Sequence, residues 1–114
     1  MKPSAKVTEE LEHALHFRAS GNEGKARVCA RRAAGFALAD HYRHNGIAVV
    51  NINAINLLRD FSSTTGLPEP VQLATTLLMQ RVNEEYELDG SPDLIACAEI
   101  LVKYLSGSPS QSEK

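Results

Sequence analysis

The chain has no tryptophan, and aromatic residues make up only 5% of its 114 residues. Its core must therefore consist mainly of aliphatic side chains, and the hydrophobic content of 43% is enough for one domain. No apolar run reaches the roughly 20 residues that span a bilayer, so no membrane contact is expected. The N-terminus turns charged at once and lacks the apolar stretch of a secretory signal, which predicts a cytoplasmic protein.

Cysteine is scarce, with only Cys29 and Cys97 in the chain. Both lie among apolar neighbours, which indicates buried thiols in a reducing compartment. A disulfide or a reactive thiol stays open as the alternative. We predict no metal and no cofactor.

The four histidines form two pairs, His13 with His16 and His41 with His44. Solvated or hydrogen-bonded surface histidines are the preferred interpretation, because helical metal ligands are more often four residues apart than three. A four-histidine metal site is the alternative, if a helical hairpin brings the two pairs together.

Charge is unevenly distributed, although the net charge is only −2. Residues 18–43 contain six basic and two acidic residues, whereas residues 82–102 contain six acidic residues and no basic ones. Two interpretations follow. The segments are complementary surfaces of one fold or of two copies, or the basic segment binds an anion.

The apolar spacing predicts five helices and no strand, over residues 8–20, 23–44, 53–64, 70–86 and 92–105. Expected N-caps are Thr8, Asn22 and Ser91, and Pro92 suits a first helical position. Residues 1–105 are thus predicted to form a single all-α domain, an antiparallel up-and-down helical bundle. Residues 106–114 are rich in Ser, Gly and Pro, which predicts a disordered tail.

The second helix is rich in small residues and follows a short turn, so it must pack closely against the first helix. Gly35 within it costs about 1 kcal/mol relative to alanine, which a tight packing contact would explain. After this helix, residues 47–52 (IAVVNI) form a β-type apolar run without a second strand to pair with. We therefore predict an extended connector packed on the core.

This order of helices resembles the HEPN family. The resemblance rests on the first helix with its glycine turn, the small-residue helix ARVCARRAAGFALADHY, the LLRDF helix and the closing helix AEILVKYL. It covers roughly residues 7–105. It implies a HEPN-like bundle, a homodimer and, as for some members, pairing with a small nucleotidyltransferase.

Many HEPN proteins are ribonucleases that use an Arg followed four to six residues later by a His. The segment that looks like this motif runs from Arg81 to Tyr86, and Tyr86 stands at the position expected for the His. No histidine follows Arg81 anywhere in the chain. Tyrosine, with a pKa near 10, is a poor general base at neutral pH. The sequence therefore predicts no catalytic residue.

The remaining candidates are the arginines of the second helix, because guanidinium groups bind phosphate with two parallel hydrogen bonds. We predict a non-catalytic HEPN-type module that binds nucleotide or RNA phosphates through Arg27, Arg31, Arg32, Arg81 and Tyr86. The alternatives are a purely structural protein-interaction or dimerisation domain, in which the arginines form salt bridges, and a divergent HEPN ribonuclease.

Overall fold

The computed structural model describes residues 4–50, 52–79 and 93–106. Over these ranges the chain is all-α and has no strand, as predicted. Arg81, Tyr86, most of the acidic segment and the tail from residue 107 lie outside the described residues. The helices are α1 (Ala5–Ala19), α2 (Glu23–His44), α3 (Ala54–Ser62), α4 (Glu69–Met79) and α5 (Leu94–Leu105).

Asparagine caps account for two of the helix starts. The side chains of Asn22 and Asn53 accept hydrogen bonds from the backbone N–H groups of Lys25 (3.2 Å) and Asn56 (3.1 Å). The cap of α2 is therefore confirmed, and the helix has its predicted bounds. Gly21, with a φ of 85°, ends α1 in the left-handed conformation that glycine adopts without strain.

Two helix starts differ from the predicted ones. Helix α1 begins at Ala5, so Thr8 lies inside it and its hydroxyl donates to the Ser4 carbonyl. Helix α5 begins at Leu94 and is capped by Asp93, whose side chain accepts from the Ala96 N–H at 3.1 Å; Ser91 and Pro92 lie outside the described residues. Asp93 follows Ser91 by only two residues in the sequence. Its carboxylate is stabilised by the dipole of α5 in addition to the hydrogen bond.

Helix α2 is the central element. It packs against α1, α3 and α5, while α4 packs against α3 and α5. Nine of the 22 residues of α2 are buried, and its small side chains allow neighbours on several sides. Large aliphatic residues of the other helices fill the space around it, including Leu58, Leu78, Leu94 and Leu101.

A close approach of α3 to α2 explains Gly35. A Cβ atom at this position would lie 2.9 Å from the Cβ and 3.1 Å from the Cα of Ala54, the first residue of α3. Real Cβ atoms do not approach other carbon atoms so closely. The glycine therefore sets the distance between α2 and α3, and the packing contact predicted for it is confirmed.

The connector differs from its prediction. Val49 packs partly against the core, but Ile47 is 52% exposed and Val50 is 90% exposed. The apolar run thus places only part of its surface inside the molecule.

Cys29 and Cys97 are buried and form no disulfide. Burial raises the pKa of both thiols, and neighbouring carboxylates (Glu10 for Cys29, Asp93 for Cys97) raise it further. Thiolate is the nucleophilic form, so these environments favour inert cysteines. Within the described ranges, each helix is too short or too polar to traverse a lipid bilayer.

Candidate functional site

The predicted arginines of α2 do not converge. Arg31 is half-buried, and its Nε donates to the backbone carbonyl of Leu78 in α4 at 2.8 Å. A guanidinium supplies a charged donor, and hydrogen bonds from charged donors are among the stronger ones. Arg31 therefore connects two helices that otherwise barely touch.

Arg27 and Arg32 lie on different sides of α2. Arg27 is half-buried and close enough to Glu23 to lower the pKa of that carboxyl, after the larger effect of Arg18. Arg32 is exposed and forms no ion pair with another described residue. Of the three arginines predicted on α2, Arg32 is the one that presents its charge to solvent.

Arg32 belongs to a face that both helices of the hairpin build. The Nζ of Lys6 lies 5.3 Å from the ring centre of Phe36, and the Nζ of Lys25 lies 5.4 Å from that of Phe17. These two contacts join opposite ends of α1 and α2, as an antiparallel pair requires. We call this surface the hairpin face; it comprises Lys6, Glu10, His13 and Phe17 of α1 and Lys25, Cys29, Arg32 and Phe36 of α2.

The hairpin face was not predicted, yet its signal is in the sequence. Both helices place their members at i, i+4, i+7 and i+11, the spacing of a single helix face. Pairing these two rows in antiparallel order brings each lysine onto a phenyl ring. The sequence alone does not give the register in which the two rows of side chains pair.

Glu10 is the acidic residue of the hairpin face. Its Oε1 is shielded from solvent and has no hydrogen-bond partner among the described residues. The carboxylate contributes to the raised pKa of the neighbouring Cys29 thiol, after desolvation. A buried carboxylate oxygen without a donor is unfavourable, so Glu10 is a position where a neutral side chain is expected to be tolerated or better.

The four histidines do not assemble. His13 and His16 lie in the half of α1 next to the turn, whereas His41 and His44 lie at the far end of α2. At 1.5 Å per residue the pairs are about 20 Å apart along the hairpin. The alternative of a four-histidine cluster is therefore excluded, because α2 extends well beyond the start of α1. Within the described part of the chain, no three His, Cys, Asp or Glu side chains converge as metal ligands.

Arg18 forms a charged junction between three helix ends. Its guanidinium binds Glu23 with two hydrogen bonds, 3.1 Å from Nε and 2.7 Å from Nη2, and its Nη1 lies 3.0 Å from Asp93 Oδ1. Asp93 is also the cap of α5. The contact of Arg18 with Asp93 joins the basic segment (residues 18–43) to the acidic segment (residues 82–102), as the interpretation of complementary surfaces within one fold predicts.

The junction predicts a loss of stability in acid. Arg18 lowers the pKa of Glu23. Burial acts to raise the pKa of Asp93, but the Ala96 N–H and Arg18 outweigh it and lower this pKa. Carboxyl groups with depressed pKa values stabilise the fold above their unfolded values near 4, and this contribution disappears as the pH falls through the folded values.

We therefore expect the midpoint of urea unfolding to fall most between pH 5 and 3. A smaller decrease between pH 7 and 5 comes from His41, because burial lowers its pKa and the unfolded chain then binds more protons. In the Arg18→Met variant the midpoint should be lower at pH 7 and the acid-dependent part of the decrease smaller. Because these side chains are at least a third exposed, the effect is modest. Equal acid-induced decreases in both proteins would show that the junction is not responsible.

Among the described residues, two apolar grooves stand out on the surface. One, of about 430 Å³, lies beside the connector and is lined by Tyr42, Leu57 and Asp60 among others. The other, of about 520 Å³, lies between α1 and α5, with Leu11 and Ile100 on its walls. Both are open surface grooves rather than enclosed ligand cavities.

Comparisons with protein-family models, with curated proteins and with solved structures give no significant match. The fold and the surfaces described above therefore have to support any functional argument alone. Together they define an all-α bundle with one mixed cationic and aromatic face and two apolar grooves.

Proposed function

We propose that this chain is a non-catalytic helical module of the HEPN type that binds the phosphate groups of nucleotides or RNA in the cytoplasm. The observation that carries the proposal is the exposed position of Arg32 between two lysine–phenyl pairs on the hairpin face. Compared with the set expected from sequence, Arg32 stays in the site, Lys6 and Lys25 join it, and Arg31 leaves it.

The spacing of the cations suits a phosphate chain better than a single anion. Lys25 and Arg32 are two helical turns apart, about 10 Å along α2. Lys6, above Phe36, is one turn beyond Arg32. Cations spread along a helix can follow successive phosphates of a single strand, and the guanidinium of Arg32 can bind one of them with two parallel hydrogen bonds.

The non-catalytic part of the proposal rests on the motif. A ribonuclease of the resembled type needs a histidine after its arginine, and the chain has none beyond His44. Arg81 and Tyr86 lie outside the described residues, so they stay predictions for phosphate contacts.

Fluorescence titration with ATP and with a labelled single-stranded RNA, each at two salt concentrations, tests this function. Arg32→Ala should weaken binding about tenfold, the effect of one charge-assisted hydrogen bond. Binding should also weaken with salt, because phosphate contacts release counterions. Glu10→Gln should strengthen binding by removing the negative charge of the hairpin face.

Arg59→Ala is the matched control, since Arg59 is an exposed arginine on α3, away from the hairpin face. It should bind as the unchanged protein does. If neither ligand binds at low salt, or if Arg32→Ala and Arg59→Ala behave alike, phosphate binding at the hairpin face is wrong.

A failed titration would favour the second candidate, a protein-interaction module. The observation in its favour is the groove between α1 and α5, where Ile100 is 38% exposed and Glu99 and Lys103 stand beside it. A helix with an apolar stripe and charged flanks fits such a groove. We propose this surface for a partner protein, including the nucleotidyltransferase implied by the HEPN resemblance.

A further inference from the structure

The connector has one engaged edge. The backbone N–H of Ile47 donates to the Tyr42 carbonyl at 2.8 Å, and the Val49 carbonyl accepts from Arg43 Nη2 at 2.9 Å. Both groups therefore point toward the end of α2. In a strand, the N–H and C=O of one residue share an edge, and successive residues use opposite edges.

The other edge is unoccupied by the rest of the described chain. Ala48 and Val50 fall on it by this alternation, and no hydrogen bond joins either residue to another described residue. Val50 is also the most exposed large apolar side chain of the described ranges, at 90%. Free backbone groups beside exposed β-branched side chains are what an edge strand offers to a second strand.

We propose that a second copy of this chain pairs with the connector as an antiparallel strand, about a two-fold axis at Val49. In this register Ala48 lies opposite Val50 of the partner subunit, and the two residues exchange N–H to C=O hydrogen bonds. The two-fold symmetry forms the same pair between Val50 and Ala48 of the partner subunit. The N–H and C=O groups of both residues are then hydrogen-bonded. Val49 then lies opposite its own copy, with its carbonyl still held by Arg43.

A second copy also suits the surroundings of the connector. The pairing supplies the strand partner that the IAVVNI run lacks within one chain. The adjoining groove is lined by Tyr42 and Leu57 together with the connector's own Ile47 and Val50, and this apolar lining can receive the same side chains of the second copy. Charges of both signs flank it, Arg43 at the connector and Asp60 in the groove, so a two-fold arrangement can place unlike charges together.

This inference goes beyond the proposed function, because it needs no phosphate and uses no residue of the hairpin face. It also differs from an interface in the groove between α1 and α5. The three surfaces can therefore be tested separately.

The first test is the molar mass in solution, measured by light scattering or sedimentation over a range of concentrations. The full chain should be a dimer that dissociates on dilution. Val50→Pro removes the donating N–H from both copies and should raise the dissociation constant at least about tenfold. Val50→Ala keeps the N–H and should retain more of the dimer than Val50→Pro. Circular dichroism checks that each variant is folded.

The second test reads the register directly. Residues opposite each other in a hydrogen-bonded pair have Cα atoms about 5.5 Å apart, which allows a disulfide. A mixture of Ala48→Cys and Val50→Cys proteins should therefore form a covalent heterodimer under mild oxidation. Each variant alone should crosslink far less, because Ala48 is not opposite its own copy.

A chain that stays monomeric at all concentrations would overturn the proposal. So would a dimer that Val50→Pro leaves intact, since it would use another surface. Equal crosslinking in the mixture and in the single variants would exclude the register. A loss of phosphate binding in Arg32→Ala would leave all these results unchanged.

Discussion

Replacing Gly35 with alanine is expected to destabilise the fold by about 2 kcal/mol, although alanine is the better helix former. The added methyl group would lie 2.9 Å from the Cβ and 3.1 Å from the Cα of Ala54. Neither atom can swing away as the end of a long side chain could, because both are fixed by the start of α3. The start of α3 must shift, and the connector that leads into it must shift as well.

Gly24→Ala is the matched control in the same helix. The nearest atom to a Cβ at this position is 3.9 Å away, an ordinary contact, and Gly24 does not have a positive φ. We expect this variant to be more stable by a few tenths of a kcal/mol to about 1 kcal/mol. Urea unfolding of both variants measures the difference. If Gly35→Ala were stabilising as well, helix propensity and not the contact with α3 would decide the outcome at Gly35.

Arg31→Met is expected to destabilise the fold by about 1–2 kcal/mol while leaving phosphate binding intact. Methionine keeps the aliphatic stem but removes the donor that reaches the Leu78 carbonyl at 2.8 Å. Hydrogen bonds from charged groups are among the stronger ones, and this bond is partly buried. In the variant the Leu78 carbonyl loses this donor, and water replaces it only in part because the position is partly buried.

The comparison with Arg32→Ala makes this result decisive. Arg32 is exposed and adjacent in sequence, so its loss should barely change the unfolding midpoint but should weaken binding of ATP and RNA. Unfolding curves and titrations of the two variants should thus show opposite patterns. If Arg31→Met weakened phosphate binding as much as Arg32→Ala, the assignment of Arg31 to structure alone would be wrong.

Helix positions were largely predictable because their signals are local. Asn22 before the apolar stripe, and Gly21 and Gly46 after helices, act within one turn of the backbone. The bounds of α2 follow from such signals. The sequence predicts Ser91 as the cap of α5 because Pro92 follows it and suits a first helical position. The observed cap is Asp93, which also contacts Arg18 of a helix distant in sequence.

The roles of individual arginines were not predictable from spacing. Arg31 and Arg32 are neighbours in sequence, yet one meets a carbonyl of α4 and the other meets solvent. Which of them is held depends on where a helix from a distant part of the chain packs. The connector poses the same difficulty, since its apolar composition predicted burial that the core does not provide at Ile47 or Val50.

The Arg18 junction also has a consequence for the order in which the bundle assembles. Glu23 lies only five residues from Arg18, so their contact closes a short loop at little entropic cost. Asp93 comes from the opposite end of the described chain and must close a far longer loop. We therefore expect the hairpin to form first, with the guanidinium already oriented, and α5 to dock onto it late. By the same reasoning, α5 should be the first helix to detach when the protein begins to unfold.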